Sequence, residues 1–277
     1  MNIGIVGLGL IGGSFAKAYR ADGHTVFGYD TDAAILSFAR LSGAIENVLD
    51  EHTINRCDAM FIAVNPGDAV AYMEETAPII AKNTLVIDCC GVKRSVCSRC
   101  FPLAERYGFV FVGGHPMAGS HKAGFKNSRA DLFRSATMIL VPRVYDDPAL
   151  FGRIEKTLKP VGFRHLTVTT AEKHDEMIAF SSQMAHVVSN AYIKSPTARE
   201  HKGFSAGSYK DLTRVARLNA VMWAELCMDN SGFLIRELDV FINSITLYRD
   251  ALAAGDENEL AKLLEEGSRL KGELDPQ

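Results

Sequence analysis

Short apolar runs alternate with helix-periodic stretches along the first 170 or so residues. The runs fall at 3–6, 25–29, 59–64, 85–88, 109–113, 138–141 and 164–168. Between them, apolar residues recur at helical spacing over 15–20, 33–41, 68–81, 94–107 and 147–161. Pro66 and Gly67 read as a turn, and Asp68 as a cap for the helix after it. Several strands are continuous apolar runs rather than alternating ones, as expected when both faces of a sheet are covered. Strand–helix alternation predicts a parallel sheet in an α/β fold. After Thr169 the pattern changes. Residues 171–192, 209–217, 220–252 and 257–271 read as helices, broken by a loop at Pro196 and 203–207, and no stretch reads as a strand. The expected organisation is an α/β domain over 1–168 and an all-α domain over 169–277. Phe233, Leu234, Leu238, Phe241, Ile242 and Ile245 give the second domain more apolar surface than a small lone bundle hides. That predicts a homodimer through this domain.

The first turn of the chain refines the picture. The run 3–6 leads into Gly7, Gly9 and Gly12 in G-x-G-x-x-G spacing, and a helix follows. In that context the motif predicts a Rossmann-type dinucleotide-binding domain. Gly7 permits the tight turn, Gly9 admits a pyrophosphate, and Gly12 lets helix and strand pack closely. Leu10 and Ile11 open the helix, whose N-terminal N–H groups face the phosphates. Asp30 ends the second strand, where an acidic side chain accepts hydrogen bonds from a ribose. A carboxylate there repels a 2′-phosphate and no arginine follows, so NAD is expected rather than NADP. Val64, at the end of the 59–64 run, is expected beside the cofactor.

Composition narrows the partners. The chain has 277 residues, is 47% hydrophobic and 23% charged, and carries a net charge of −3. No basic block argues for nucleic acid, and no apolar run is long enough to span a membrane. Residue 2 onward runs straight into a strand, so a signal peptide is not expected and cytoplasm is the default location. Cys97 and Cys100 have C-x-x-C spacing on a helix, but without a second ligand pair they read as reduced, partly buried thiols, and no metal is expected.

Ligands of open α/β sheets lie beyond the carboxyl ends of the strands. His115 follows the 109–113 run and is the expected catalytic base, because oxidation of an alcohol requires a group that accepts a proton near neutrality. Its neighbouring glycines would let backbone pass close to a ligand. Lys93 could hold a carboxylate or be a solvated charge at a helix start. His174 and Asp175 read as capping and packing residues. His186 is either a core histidine or a ligand for an anionic substrate. Lys210 and Arg214 suggest carboxylate recognition, or else a salt-bridged surface helix with Asp211 as partner.

Together these motifs resemble the prephenate/arogenate dehydrogenase family. The resemblance is carried by GLGLIGGS at 7–14, D-x-x-x-V-K at 88–93, GGHPMAGS at 113–120, HDE at 174–176, S-x-x-x-H at 182–186, and KDLTRVA at 210–216 with Trp223 downstream. It implies NAD-dependent oxidative decarboxylation of prephenate, or of arogenate, on the route to tyrosine. It also implies that His115 takes the ring hydroxyl proton, that Arg214 binds a substrate carboxylate, that His186 lies in the same cleft, and that Lys210 and Asp211 form a polar gate near it. Two departures stand out: Gly91 replaces a serine usual near the catalytic histidine, for which Ser120 or water could substitute, and His121 stands where an acidic residue is common. With the sequence ending at Gln277, no fused regulatory or mutase domain is expected, and any tyrosine inhibition is expected at the active site.

Overall fold

The computed structural model describes residues 1–119 and 122–274. The chain forms two compact units, Met1–Asn230 and Ser231–Gln277.

The first unit is built on an eight-stranded sheet. Its strands are β1 (Asn2–Val6), β2 (Thr25–Tyr29), β3 (Asn47–Val48), β4 (Ala59–Ile62), β5 (Leu85–Asp88), β6 (Val110–Pro116), β7 (Thr137–Pro142) and β8 (His165–Val168). Their order is β3-β2-β1-β4-β5-β6-β7-β8. All pairs are parallel except β6–β7, which is antiparallel. Side chains alternate across a strand, so each central strand feeds two cores. Ile3, Ile5, Phe61 and Ile87 face one core, with Phe15 and Tyr19 of helix α1 (Leu10–Ala21) and Ile154 and Leu158 of α5 (Pro148–Leu158). Val6, Met60, Ile62 and Val86 face the other, with Met73 of α3 (Pro66–Thr76) and Val96 and Cys100 of α4 (Arg94–Tyr107). Phe15 stacks on Phe61 at 4.5 Å between ring centres. This double burial is why the strands read as continuous apolar runs.

Some expectations change. The two-residue strand β3 is too short to leave a pattern. Helix α2 (Ala33–Leu41) forms as expected and is capped by Asp32. Pro66 is the first residue of α3 rather than a turn, and Asp68 sits in its first turn with Asn65 at the cap; proline's fixed φ suits a first helical position. Strand β6 runs on to Pro116, so His115 lies within the strand and pairs with Ile139 of β7. The antiparallel partner keeps β6 extended after its parallel pairing with β5 ends at Val112.

The remaining helices of this unit are α6 (Ala171–Ile178), α7 (Ala185–Tyr192), α8 (Gly207–Thr213) and α9 (Ala220–Asp229). A π-helical turn, Ala179–Met184, joins α6 to α7. The second unit holds α10 (Ser231–Ala254) and α11 (Glu257–Leu274), so the expected helix over 220–252 is broken at Asn230. Tyr248 donates to the carbonyl of Leu263 at 3.0 Å, tying α10 to α11. Among the described residues no helix is long and apolar enough to cross a membrane.

Candidate active site

The glycine turn divides into positions that the fold requires and one that it does not. A Cβ on Gly7 would lie 2.5 Å from the Ala63 carbonyl oxygen and from Val64, at φ +83°. A Cβ on Gly12 would lie 1.8 Å from the Gly7 carbonyl oxygen. A Cβ on Gly9 would meet no atom within 4 Å. Packing therefore demands Gly7 and Gly12, while at Gly9 only the approach of something outside the protein calls for glycine. Gly9 caps α1 without a side-chain bond, so the N–H groups of Leu10, Ile11 and Gly12 point out of the helix end. Asp30 is set beside this turn: its carboxylate accepts from the N–H of Leu8 at 2.8 Å and of Asp32 at 2.9 Å. Val64 lies against Gly7. A cradle of bare N–H groups with an oriented carboxylate at its rim fits a dinucleotide's pyrophosphate and ribose.

At the end of β5 lies a buried ion pair. Lys93 Nζ binds Asp88 and donates to the Gly114 carbonyl at 2.6 Å. Asp88 also accepts from the N–H of Cys90 and of Gly114, each at 3.0 Å. Both side chains are within 1% of full burial. Burial pulls the Lys93 ammonium down, but the Asp88 carboxylate more than offsets it and holds the group above its ordinary value. Lys93 is thus neither a solvated charge nor a substrate ligand; its charge is consumed internally. The pair grips both backbone groups of Gly114, the residue before His115. Gly113 and Gly114 are required by this packing, since Cβ atoms there would lie 2.7 Å from Cys97 Sγ and 2.3 Å from the Asp88 carbonyl oxygen. Their closeness serves the strand rather than a ligand. Cys97 and Cys100 are buried, and burial pushes the Cys100 thiol up to about 12.

His115 is half-buried, and its Nδ1 lies 2.9 Å from Nε2 of His174. His174 Nδ1 lies 2.7 Å from Asp175 Oδ1. Asp175 is fully buried and also accepts from the N–H of Lys93 at 2.7 Å and of Arg94 at 2.9 Å. It therefore caps α4 from another helix, which favours its charged form. Burial works against that form, yet the bond from His174 and those two backbone bonds leave its carboxyl below the usual range. His115 is held well below an ordinary imidazole by burial, then by His174 and Lys93. At neutral pH it is the uncharged base. His174 and Asp175 do not cap their own helix, since Thr170 does that; they form a hydrogen-bonded line ending on His115. Sequence reasoning missed this line, and its one visible signal was the adjacent His–Asp pair 59 residues downstream.

A second cluster forms around α7. His186 Nδ1 donates to the Ser182 carbonyl at 2.8 Å, and its ring stacks on Trp223 at 3.9 Å. Ser189 and Asn190, on the same helix, donate to the carbonyls of Leu212 and Ala216 at 2.7 and 3.0 Å. These bonds bracket Arg214. Arg214, Lys210 and Asp211 are exposed, and no ion pair forms among the three. The alternative of a salt-bridged surface helix is therefore not what the chain adopts. No hydrogen bond among the described residues links Arg214 or Lys210 to His115. Gln183, in the π turn, donates to the Leu226 carbonyl and accepts from Asn230, both at 2.8 Å. Where the resemblance expects a serine, a Cβ on Gly91 would come within 3.1 Å of Leu226. Ser120 and His121 lie outside the described residues.

Fold and site define a dinucleotide-binding α/β protein with helices appended, its histidine delivered to the carboxyl end of the sheet. Residues 15–167 match the family described as prephenate dehydrogenase, nucleotide-binding domain, and residues 170–266 match prephenate dehydrogenase, dimerization domain. The chain belongs to the prephenate dehydrogenase family, and so to the oxidoreductases. It is 28% identical to a cyclohexadienyl dehydrogenase of Zymomonas mobilis, over 98% of this chain and 94% of that one. It is 29% identical to a prephenate dehydrogenase of Bacillus subtilis, over 92% and 71%. Among solved structures, prephenate dehydrogenase of Aquifex aeolicus in complex with hydroxyphenyl propionate and NAD+ superposes with a TM-score of 0.84, at 25% identity over 99% and 98% of the two chains.

Proposed function

We propose that this chain oxidises and decarboxylates prephenate to 4-hydroxyphenylpyruvate with NAD as hydride acceptor. The observation that carries the reading is His115: half-buried, neutral, at the carboxyl end of the sheet, with one ring nitrogen already engaged. When bound, NAD supplies the acceptor for the hydride that leaves the ring carbinol carbon. Gly9, Leu10, Ile11 and Gly12 hold its pyrophosphate, Asp30 its ribose, and Val64 lines the approach. His115 takes the hydroxyl proton as that carbon becomes a carbonyl. The ring carboxylate then leaves as carbon dioxide, and its bonding electron pair completes the aromatic ring. Arg214, unpaired among the described residues, would bind a substrate carboxylate, and Lys210, His186 and Ser120 are the further residues assigned to the substrate. The Bacillus subtilis relative's name as a prephenate dehydrogenase and the hydroxyphenyl propionate bound by the Aquifex aeolicus protein support this substrate.

Two copies pair through the helical domain. Ile235, Leu238, Ile242, Ile245 and Leu252 fall on one stripe of α10, and all but Leu238 are more than half exposed. Such a stripe marks an interface.

The test is NADH formation by purified protein with prephenate or arogenate, using NAD or NADP, in wild type and His115→Asn. Turnover of prephenate with NAD is expected, with a loss of about 10²–10⁴-fold in the variant while NAD binding persists. Turnover of arogenate alone would overturn the substrate, turnover with NADP alone would overturn the role of Asp30, and an active variant would overturn His115 as the base.

A further inference from the structure

We infer that His174 and Asp175 act on the reaction through His115, as positioning residues that fix which of its ring nitrogens carries the proton. This rests on the reading of His115 as the base.

The assignment follows from donor and acceptor capacity. Asp175 is a carboxylate and can only accept. His174 Nδ1, 2.7 Å away, must therefore be the protonated nitrogen. Burial holds His174 below an ordinary imidazole, although Asp175 works the other way; a neutral imidazole carries one proton, so His174 Nε2 is bare and accepts. Its partner, His115 Nδ1 at 2.9 Å, must then be the donor. His115 is neutral as well, so its Nε2 is left with the lone pair. That is the atom able to take a hydroxyl proton. The opposite tautomer would put a proton on Nε2 and disable the base.

Each link is over-determined. The Asp175 carboxylate is pinned by backbone N–H groups of Lys93 and Arg94 and by the Arg94 side chain at 3.3 Å. Asn230 binds the Asp175 carbonyl at 2.8 Å. His174 is 2% exposed, so no water competes for its nitrogens. Once the proton arrives on Nε2 of His115, the new positive charge is shared along the line towards Asp175. In this step the substrate O–H bond breaks and an N–H bond forms on His115 Nε2; when carbon dioxide has left and the freed electron pair rests on the ring oxygen, that proton returns to it and gives the phenol. The line also gives His115 a partner in a chain where Gly91 stands in place of the usual serine.

The experiment uses three variants of the full chain. His174→Leu removes the acceptor. His174→Gln offers an amide oxygen in its place. In Asp175→Asn the amide oxygen keeps the two N–H groups of Arg94, so the NH2 faces His174 and the bond from the Lys93 N–H is lost; His174 Nδ1 then accepts, its Nε2 donates, and His115 is turned to the disabled tautomer. Nitrogen-15 NMR of histidine-labelled protein reads the tautomer directly, with the His115 signals identified by their loss in His115→Asn. In wild type the protonated nitrogen is expected to be Nδ1, and in Asp175→Asn to be Nε2. His174→Leu and Asp175→Asn are expected to lose about 10²–10⁴-fold in kcat with NAD affinity retained. His174→Gln should recover much of that loss. A merely structural role would move neither the tautomer nor the rescue. Protonation of Nε2 in the wild type overturns the inference. So does a kcat within about 3-fold of wild type in folded His174→Leu, if His115→Asn is inactive. An active His115→Asn with the expected tautomer would instead sink the proposed role of His115 and leave the geometry standing.

Discussion

Removing either half of the Asp88–Lys93 pair strands the other half in a fully buried site. In Asp88→Asn the Lys93 ammonium keeps one carbonyl, that of Gly114, and loses its counter-charge. Its escape is to give up its proton, and the gap between lysine's ordinary value of about 10.4 and pH 7 limits that cost to about 4.6 kcal/mol. In Lys93→Met the Asp88 carboxylate keeps the N–H groups of Cys90 and Gly114, and taking up a proton at pH 7 limits the cost to about 4.2 kcal/mol. Both limits agree with the roughly 3–5 kcal/mol seen when one partner of a buried pair is deleted. Urea unfolding followed by circular dichroism measures the loss. The two variants should diverge with pH. Lys93 in Asp88→Asn has a folded pKa below its unfolded value, so the variant regains stability relative to wild type as pH rises from 7 towards 10. Asp88 in Lys93→Met has a folded pKa above its unfolded value, so that variant regains stability as pH falls towards 4. A double variant, Asp88→Leu with Lys93→Met, should recover much of the loss, because well-packed apolar groups can replace a buried pair. Single-variant losses below about 1 kcal/mol, with no opposed pH trends, would refute the description of this pair as buried and ionised.

Three further outcomes are expected. Gly9→Ala should leave the melting temperature within a degree or two but weaken NAD binding, whereas Gly12→Ala, whose Cβ would sit 1.8 Å from a carbonyl oxygen, should destabilise the fold itself; calorimetry and cofactor titration separate the two. Arg214→Ala should raise KM by about 10–100-fold, the worth of a charge-assisted carboxylate contact of about 1.5–3 kcal/mol, with stability unchanged because the side chain is exposed and unpaired among the described residues; steady-state kinetics and a melt decide it. Ile242→Asp with Ile245→Asp should convert a two-chain particle to a single chain in light scattering, since both positions are more than half exposed on α10.

What was legible in the sequence is what depends on neighbours along the chain. Burial on both faces made β1, β4 and β5 visible as continuous apolar runs, and the glycine spacing exposed the cradle because turn, helix start and strand are consecutive. The switch from strand to helix after residue 168 showed for the same reason. The polar line that ends on His115 did not show. Its members lie on β6 and α6, 59 residues apart, and a histidine beside an aspartate on a helix looks the same whether it caps, packs or relays. Lys93 was equally opaque, because a lysine at a helix start is solvated unless the fold closes over it, and here β6 brings the Gly114 carbonyl across the strand end to do so. Local pattern determined where the strands, helices and cofactor turn are. Only the packing of α6 against the start of α4 decided which side chains are buried together, and burial is what turns His115 from a strand residue into a neutral base with one nitrogen to spare.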